Sequence, residues 1–115
     1  MATIEECRAA LERLSDSMAA AKGAAGRAAA LDRSLSCHLT DLDMSLLGRL
    51  RARRVDVAET VPGPPPRKAQ IRLATTSDDL VAMIDGELHF AKAWASGRVK
   101  VEAPLRDLLR LRGLL

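Results

Sequence analysis

The stretch AQIRLATTSDDLVAMIDGELHFAKAWASGRVKVE, from Ala69 to Glu102, decides the fold. Residues 69–75 alternate apolar and polar side chains, the period of a half-buried strand. Ser77-Asp78-Asp79 then opens a helix through Ile84, because short polar and acidic side chains satisfy the free amides of a helix N-terminus. Asp85-Gly86 stops it. A second helix runs from about Glu87 to Ala95, ends at Ser96-Gly97, and feeds the alternating strand Arg98–Glu102. Pro104 suits the first turn of a closing helix, in which Leu105, Leu108, Leu109, Leu111 and Leu115 cover nearly half the circumference. No side chain in this order looks chemically reactive, and almost every apolar one is placed to line a hydrocarbon-sized space.

Upstream, Val61-Pro62-Gly63-Pro64-Pro65-Pro66 excludes helix and central strand, since proline has no amide to donate. It reads as an exposed, polyproline-like loop into the Ile71 strand. Before it, Leu35, Cys37 and Leu39 alternate with Ser34, Ser36 and His38, and Thr40-Asp41-Leu42-Asp43 forms a turn. Met44, Leu46, Gly48 and Leu50 alternate with Ser45, Leu47, Arg49 and Arg51 in a second strand, and Val55-Asp56-Val57 makes a short third. At the N-terminus, Thr3-Ile4-Glu5-Glu6 is a capping box. Ile4, Cys7, Leu11, Leu14 and Met18 follow at helical spacing to about Ala20. The Ala-rich piece beyond, with Gly23 and Gly26, is a frayed helix end or a loop, because each glycine costs roughly 1 kcal/mol in a helix interior.

A chain of 115 residues is long enough for one domain, residues 1–115, with its own core. Apolar residues make up 48%, but the aromatics are one Phe and one Trp, so bulk comes from Leu, Val, Ile and Met and leaves room for a loosely filled interior. Net charge is +3, too small to argue for nucleic acid. The stacking aromatics of single-strand binders are also missing, so no nucleic-acid partner is expected. Cys7 and Cys37 lack C-x-x-C spacing and fall on apolar faces, as buried thiols of a reducing compartment do; a disulfide is the alternative. No apolar run is long enough to span a membrane, and no secretory h-region follows Met1, so a cytoplasmic location is expected.

One sheet of about five strands, rich in antiparallel pairs and with helices over one face, makes an α+β fold. The order strand, acidic cap, helix, Gly, helix, Gly, strand, apolar helix resembles the C-terminal half of the sterol carrier protein type-two family. The matching residues are Ser77, Asp78, Asp79, Leu80, Met83, Ile84, Gly86, Lys92, Ala93, Gly97, Val99 and Val101. The amphipathic first helix and the early hairpin fit the same topology. The resemblance implies an apolar tunnel between sheet and helices that carries a sterol or acyl chain without catalysis and without a cofactor. Two departures stand out. Glu102-Ala103-Pro104 replaces a Gly-Asp pair common after the last strand, and Gly113-Leu114-Leu115 is not the Ser-Lys-Leu address of peroxisomal members. The high Ala and Arg content looks like that of a GC-rich bacterial genome, where sterol is not the expected natural ligand, so a fatty acyl, isoprenoid or sterol-like molecule is expected.

The residues expected to line the space are Leu35, Leu39, Leu46, Ile71, Leu73, Leu80, Met83, Ile84, Phe90, Trp94 and Leu109. The plain alternative is that they pack one another, with Phe90 and Trp94 paired on one helix face four residues apart. Arg112 falls inside the closing helix's leucine arc, where it snorkels, pairs with an acid, or meets a ligand anion at a tunnel mouth. Arg49, Arg51, Arg53 and Arg54 form a basic hairpin tip, either a solvated face or a transient contact with anionic membrane. A protein-association module, monomer or homodimer, is the competing reading; exposed Leu47, Leu114 and Leu115 would serve it. An enzyme is the third. The two histidines, His38 and His89, have no metal-ligand spacing, and no G-x-S-x-G elbow or phosphate loop is present.

Overall fold

The computed structural model describes residues 1–19, 32–52 and 54–107. The element order is α1 (Ile4–Ala19), β1 (Arg33–Leu39), β2 (Met44–Arg51), β3 (Arg54–Pro62), β4 (Ile71–Thr75), α2 (Ser77–Ile84), α3 (Phe90–Ala95) and β5 (Val99–Glu102). Residues 105–107 are again helical. The Ala-rich piece, Arg53, Leu109, Arg112, Leu114 and Leu115 lie outside the described residues.

The capping box forms at α1: the Glu6 amide donates to Thr3 Oγ1 at 3.1 Å, and the Thr3 amide donates to Glu6 Oε1 at 3.2 Å. Thr76 caps α2, its hydroxyl accepting from the Asp79 amide. Asp41 in the β1–β2 turn accepts from the Ser77 amide at 2.8 Å and from its hydroxyl, which fixes the start of α2 against the hairpin. Gly86 follows that helix with φ of 82°, a conformation that strains any residue with a Cβ.

The sheet runs β3-β2-β1-β4-β5 and is mixed: β1 and β4 are parallel, and every other neighbouring pair is antiparallel. β3 is therefore parallel to β4 but two strands away, and the chain must cross a sheet face to join them. Gly63 to Gln70 make that crossing as a strap over the face opposite α1. Ser45 Oγ donates to the Gly63 carbonyl at 2.7 Å, Arg67 pairs with Glu59 at 2.8 Å, and the Gln70 amide donates to Ser34 Oγ at 2.8 Å.

Several boundaries differ from the sequence reading. β3 is nine residues rather than three, extending along an edge where Pro62 needs no ladder donor. β4 starts at Ile71, because Gln70 is spent anchoring the strap. α3 starts at Phe90 rather than Glu87: the amides of Glu87 and Leu88 both turn back to the Ala82 carbonyl, and His89 Nδ1 caps by accepting from the Ala91 amide. Leu47 is buried, with 7% exposure, where alternation placed it in solvent. The strap covers the outer face, a non-local event that strand periodicity does not register. The association reading loses that leucine as support.

Candidate functional site

α1 and α2 lie over the inner face of the sheet and enclose one apolar layer. Its main cluster joins Cys7 and Leu11 of α1, Cys37 and Leu39 of β1, Leu46 of β2 and Leu80 of α2; Val57, Leu73 and Ile84 pack against it. A second cluster holds Leu50 and Ile71, with Leu35, Val101 and Ala103 against them. Leu14 and Val55 touch both, so the two are continuous at one corner. An apolar cavity lies within this layer, lined by Leu11, Leu35, Cys37, Leu46, Leu47, Gly48, Val55, Val57, Leu73 and Leu80. Its volume is about 20 Å³, room for a single water-sized sphere.

Of the residues expected to line a tunnel, Leu35, Leu46, Leu73 and Leu80 face this cavity, and Leu39, Ile71 and Ile84 pack in the surrounding layer. Met83, Phe90 and Trp94 are half-buried elsewhere. Phe90 and Trp94 meet edge to face with ring centroids 5.6 Å apart, the pairing their spacing implied. Leu109 is outside the described residues. Six lining residues were missed: Leu11, Cys37, Leu47, Gly48, Val55 and Val57. Leu11 and Cys37 sat on apolar faces already recognised in the sequence, and Val55 and Val57 belonged to a strand read too short to count.

The layer is chemically quiet. Burial pushes the Cys7 thiol up to about 11, helped by the carboxylates of Asp41, Glu6 and Asp78, and burial pushes Cys37 up to about 12, with Cys7 adding to it. Both thiols are free and protonated near neutrality, unsuited to nucleophilic work. His38 Nε2 lies 3.2 Å from Asp43 Oδ1, but neither residue lines the cavity. His89 is used as a helix cap. Among the described residues no cluster of His, Cys, Asp or Glu is arranged to hold a metal.

Ion pairs set how the layer is closed. Arg13 reaches Asp85 Oδ1 at 3.0 Å and the Met1 amino group reaches Asp78 at 3.0 Å, tying α1 to α2. Arg98 grips Asp79 with two donors, tying α2 to the start of β5. α1 is tied to β3 more lightly: Arg8 donates to Thr60 Oγ1 at 2.9 Å, and the Val55 amide donates to Ser15 Oγ at 3.0 Å. At the hairpin tip, Arg49 pairs with Asp32 at 2.6 Å, and Arg51 and Arg54 both approach Asp56. No helix among the described residues is long and apolar enough to cross a membrane.

Solved structures share this architecture. Sterol carrier protein 2 aligns over 96% of this chain and 88% of its own, with TM-score 0.64 and 13% identity. Sterol carrier protein 2 like 2 of Aedes aegypti aligns over 96% of both chains, with TM-score 0.61 and 14% identity. The sec-alkylsulfatase Pisa1 of Pseudomonas sp. matches 77% of this chain, with TM-score 0.55 and 23% identity. This chain spans only 14% of that sulfatase. At these identities the likeness establishes the fold. No curated protein sequence matches. The model of the SCP-2 sterol transfer family, however, matches residues 10–115, and the chain belongs to that family.

Proposed function

We propose that this chain binds a lipid or other apolar molecule, fatty acyl or isoprenoid in kind, between its helices and sheet, and carries it without catalysis or cofactor. The observation that supports this most is the composition of the layer. Every residue lining the interior cavity is apolar, and the thiols of Cys37 in its wall and Cys7 in the surrounding cluster are held neutral. Leu35, Leu46, Leu73 and Leu80 are the proposed contact residues, with Leu11, Cys37, Val55 and Val57 added to them.

The cavity is closed in this conformation, so binding requires α1 and α2 to lift from the sheet. Such a motion breaks the light ties from Arg8 and Ser15 to β3, each costing about 1 kcal/mol, and, as α2 lifts, those from Ser77 to Asp41 and from Arg98 to Asp79. Burial of ligand returns about 0.8 kcal/mol per methylene. Exchange with an anionic membrane is assigned to the tip of Arg49, Arg51, Arg53 and Arg54. Four cations less the two carboxylates of Asp32 and Asp56 leave it a charge of +2.

Native mass spectrometry of the freshly purified protein, followed by organic extraction, tests the reading. A stoichiometric acyl chain, phospholipid or isoprenoid is expected. A protein that is empty and also leaves a fluorescent fatty acid unbound on titration would sink it.

A further inference from the structure

The outer face of the sheet carries a recess that the interior layer does not explain. Where the strap arches between its anchors at Gly63 and Gln70, it leaves a cleft of about 520 Å³, within the size range of small-molecule sites. Pro64, Pro65 and Pro66 have no amides to pair with the strand below, so the strap does not close down as another strand would. The floor of the cleft is apolar, formed by Leu35, Leu47, Gly48 and Ala58. Its walls carry Arg49, Arg51, Arg67 and Lys68 against Asp56 and Glu59, four cations to two anions.

The cations are only partly used. Arg51 engages Asp56 through Nε alone at 3.3 Å, and Arg67 engages Glu59 through one terminal nitrogen at 2.8 Å. A guanidinium has five N–H donors, so each keeps a fork for another acceptor. Lys68 forms no ion pair among the described residues. Directly across the β1–β2 ladder from Leu47, Ser36 is 1% exposed and its hydroxyl has no hydrogen-bond partner among the described residues. A buried unmade hydrogen bond costs about 1–3 kcal/mol, and this one sits beside the cleft floor.

We propose that this cleft binds a small anion that carries an apolar group, a phosphate or carboxylate on a short alkyl chain: the apolar part rests on Leu47, Gly48 and Ala58, and the anion bridges Arg51, Arg67 and Lys68. The site lies on the opposite side of the sheet from the interior layer, with Leu35, Leu47 and Gly48 as the wall the two spaces share. The β1–β2 ladder is unbroken from Arg33↔Leu50 to Leu39↔Met44, so the sheet separates the two spaces.

The test is a ¹H–¹⁵N NMR titration of the intact chain with hexyl phosphate, inorganic phosphate and 1-hexanol at low salt. Hexyl phosphate at about 10 mM is expected to saturate shifts at Gly48, Ala58, Lys68 and Ala69, as a Kd near 1 mM would require. Inorganic phosphate is expected to bind at least about fivefold more weakly for lack of apolar contact. Lys68→Glu, at an exposed position that does not bear on folding, is expected to weaken hexyl phosphate about tenfold by turning attraction into repulsion. Shifts confined to interior residues such as Leu11 and Leu80 would overturn the proposal. So would equal affinity for inorganic phosphate, equal shifts with 1-hexanol, or an unchanged Kd in Lys68→Glu. Retained lipid in the interior is a separate readout, so the two proposals fail separately.

Discussion

Gly48→Ala is expected to destabilise the fold severely, for a steric reason alone. β3 carries an extra residue at Ala58, because Leu47 pairs with Glu59 while Gly48 pairs with Val57. Opposite that bulge, a Cβ at Gly48 would stand 2.0 Å from the Asp56 carbonyl oxygen, 2.9 Å from its carbon and 3.0 Å from Val57 Cα. All three are backbone atoms, so no side chain can swing aside. Reaching ordinary contact near 3.4 Å moves the strands apart by 3.4 minus 2.0, or 1.4 Å. Such a shift loses about two ladder hydrogen bonds at roughly 1 kcal/mol each, and overpacking adds about 1–2 kcal/mol. The total, about 3–4 kcal/mol, lowers Tm by roughly 12–16 °C for a chain of this size. Gly63→Ala is the control: nothing lies within 4 Å of its Cβ, but φ is 73°. Only backbone strain of about 1–2 kcal/mol applies there. Thermal melts by circular dichroism compare the two. A Gly48→Ala protein that melts within about 4 °C of the parent, or no lower than Gly63→Ala, would refute the close-approach reasoning.

Arg33→Met strands the 2%-exposed Asp107 carboxylate that Arg33 pairs with at 2.8 Å; urea unfolding is expected to show a loss of about 3 kcal/mol, and adding Asp107→Leu is expected to recover most of it. Leu80→Ala removes the α2 side chain that caps the interior cavity, so stability is expected to fall by about 2–4 kcal/mol while a fluorescent fatty acid binds more tightly; unchanged affinity would place the ligand elsewhere. Thiol titration gives a third prediction: folded-state values of about 11 and 12 stand above the 9.0 of an unfolded thiol, so their contribution is complete below pH 9 and is lost as pH rises toward the folded values. With no tyrosine in the chain, the Cys7→Ala/Cys37→Ala protein is expected to show a much flatter stability profile between pH 9 and 11, measured by urea midpoints; an unchanged slope would show the thiols are accessible when folded.

Local physics explains what the sequence made legible. The capping box at Thr3–Glu6, the acidic start of α2 and the period-two runs of β1, β2 and β4 are each decided within a few residues, and each appears in the structure. Leu35, Leu46 and Leu73 followed from that alternation, because the face of a strand is fixed once its period is known. What alternation does not carry is which strand lies beside which. The parallel β1–β4 pair joins residues 36 apart, Leu35 with Ile71, and it alone obliges the strap to cross the sheet. Burial of Leu47, the orphaned hydroxyl of Ser36 and the outer cleft all descend from that crossing. The late start of α3 has a different cause. A histidine ring serves as its cap, where sequence patterns lead one to look for Ser, Thr, Asp or Asn.

The small interior cavity bears on how the proposed binding would proceed. A cavity of about 20 Å³ holds no alkyl chain, so whatever binds must separate the layers as it enters. The lining leucines then exchange contacts with one another for contacts with ligand and stay out of water, so their own burial is retained. The net gain is the ligand's burial, about 8 kcal/mol for ten methylenes at 0.8 kcal/mol each. Against it stand at least the two ties of α1 to β3, at Thr60 and Val55, together about 2 kcal/mol, to which the bonds of α2 to Asp41 and Arg98 add. The remainder, at most about 6 kcal/mol before the entropy of association is counted, corresponds to a Kd no tighter than the tens of micromolar. Longer chains gain in proportion while the opening cost is met once. Affinity is therefore expected to rise with chain length from a threshold, rather than to peak at one length as a preformed tunnel of fixed volume would require.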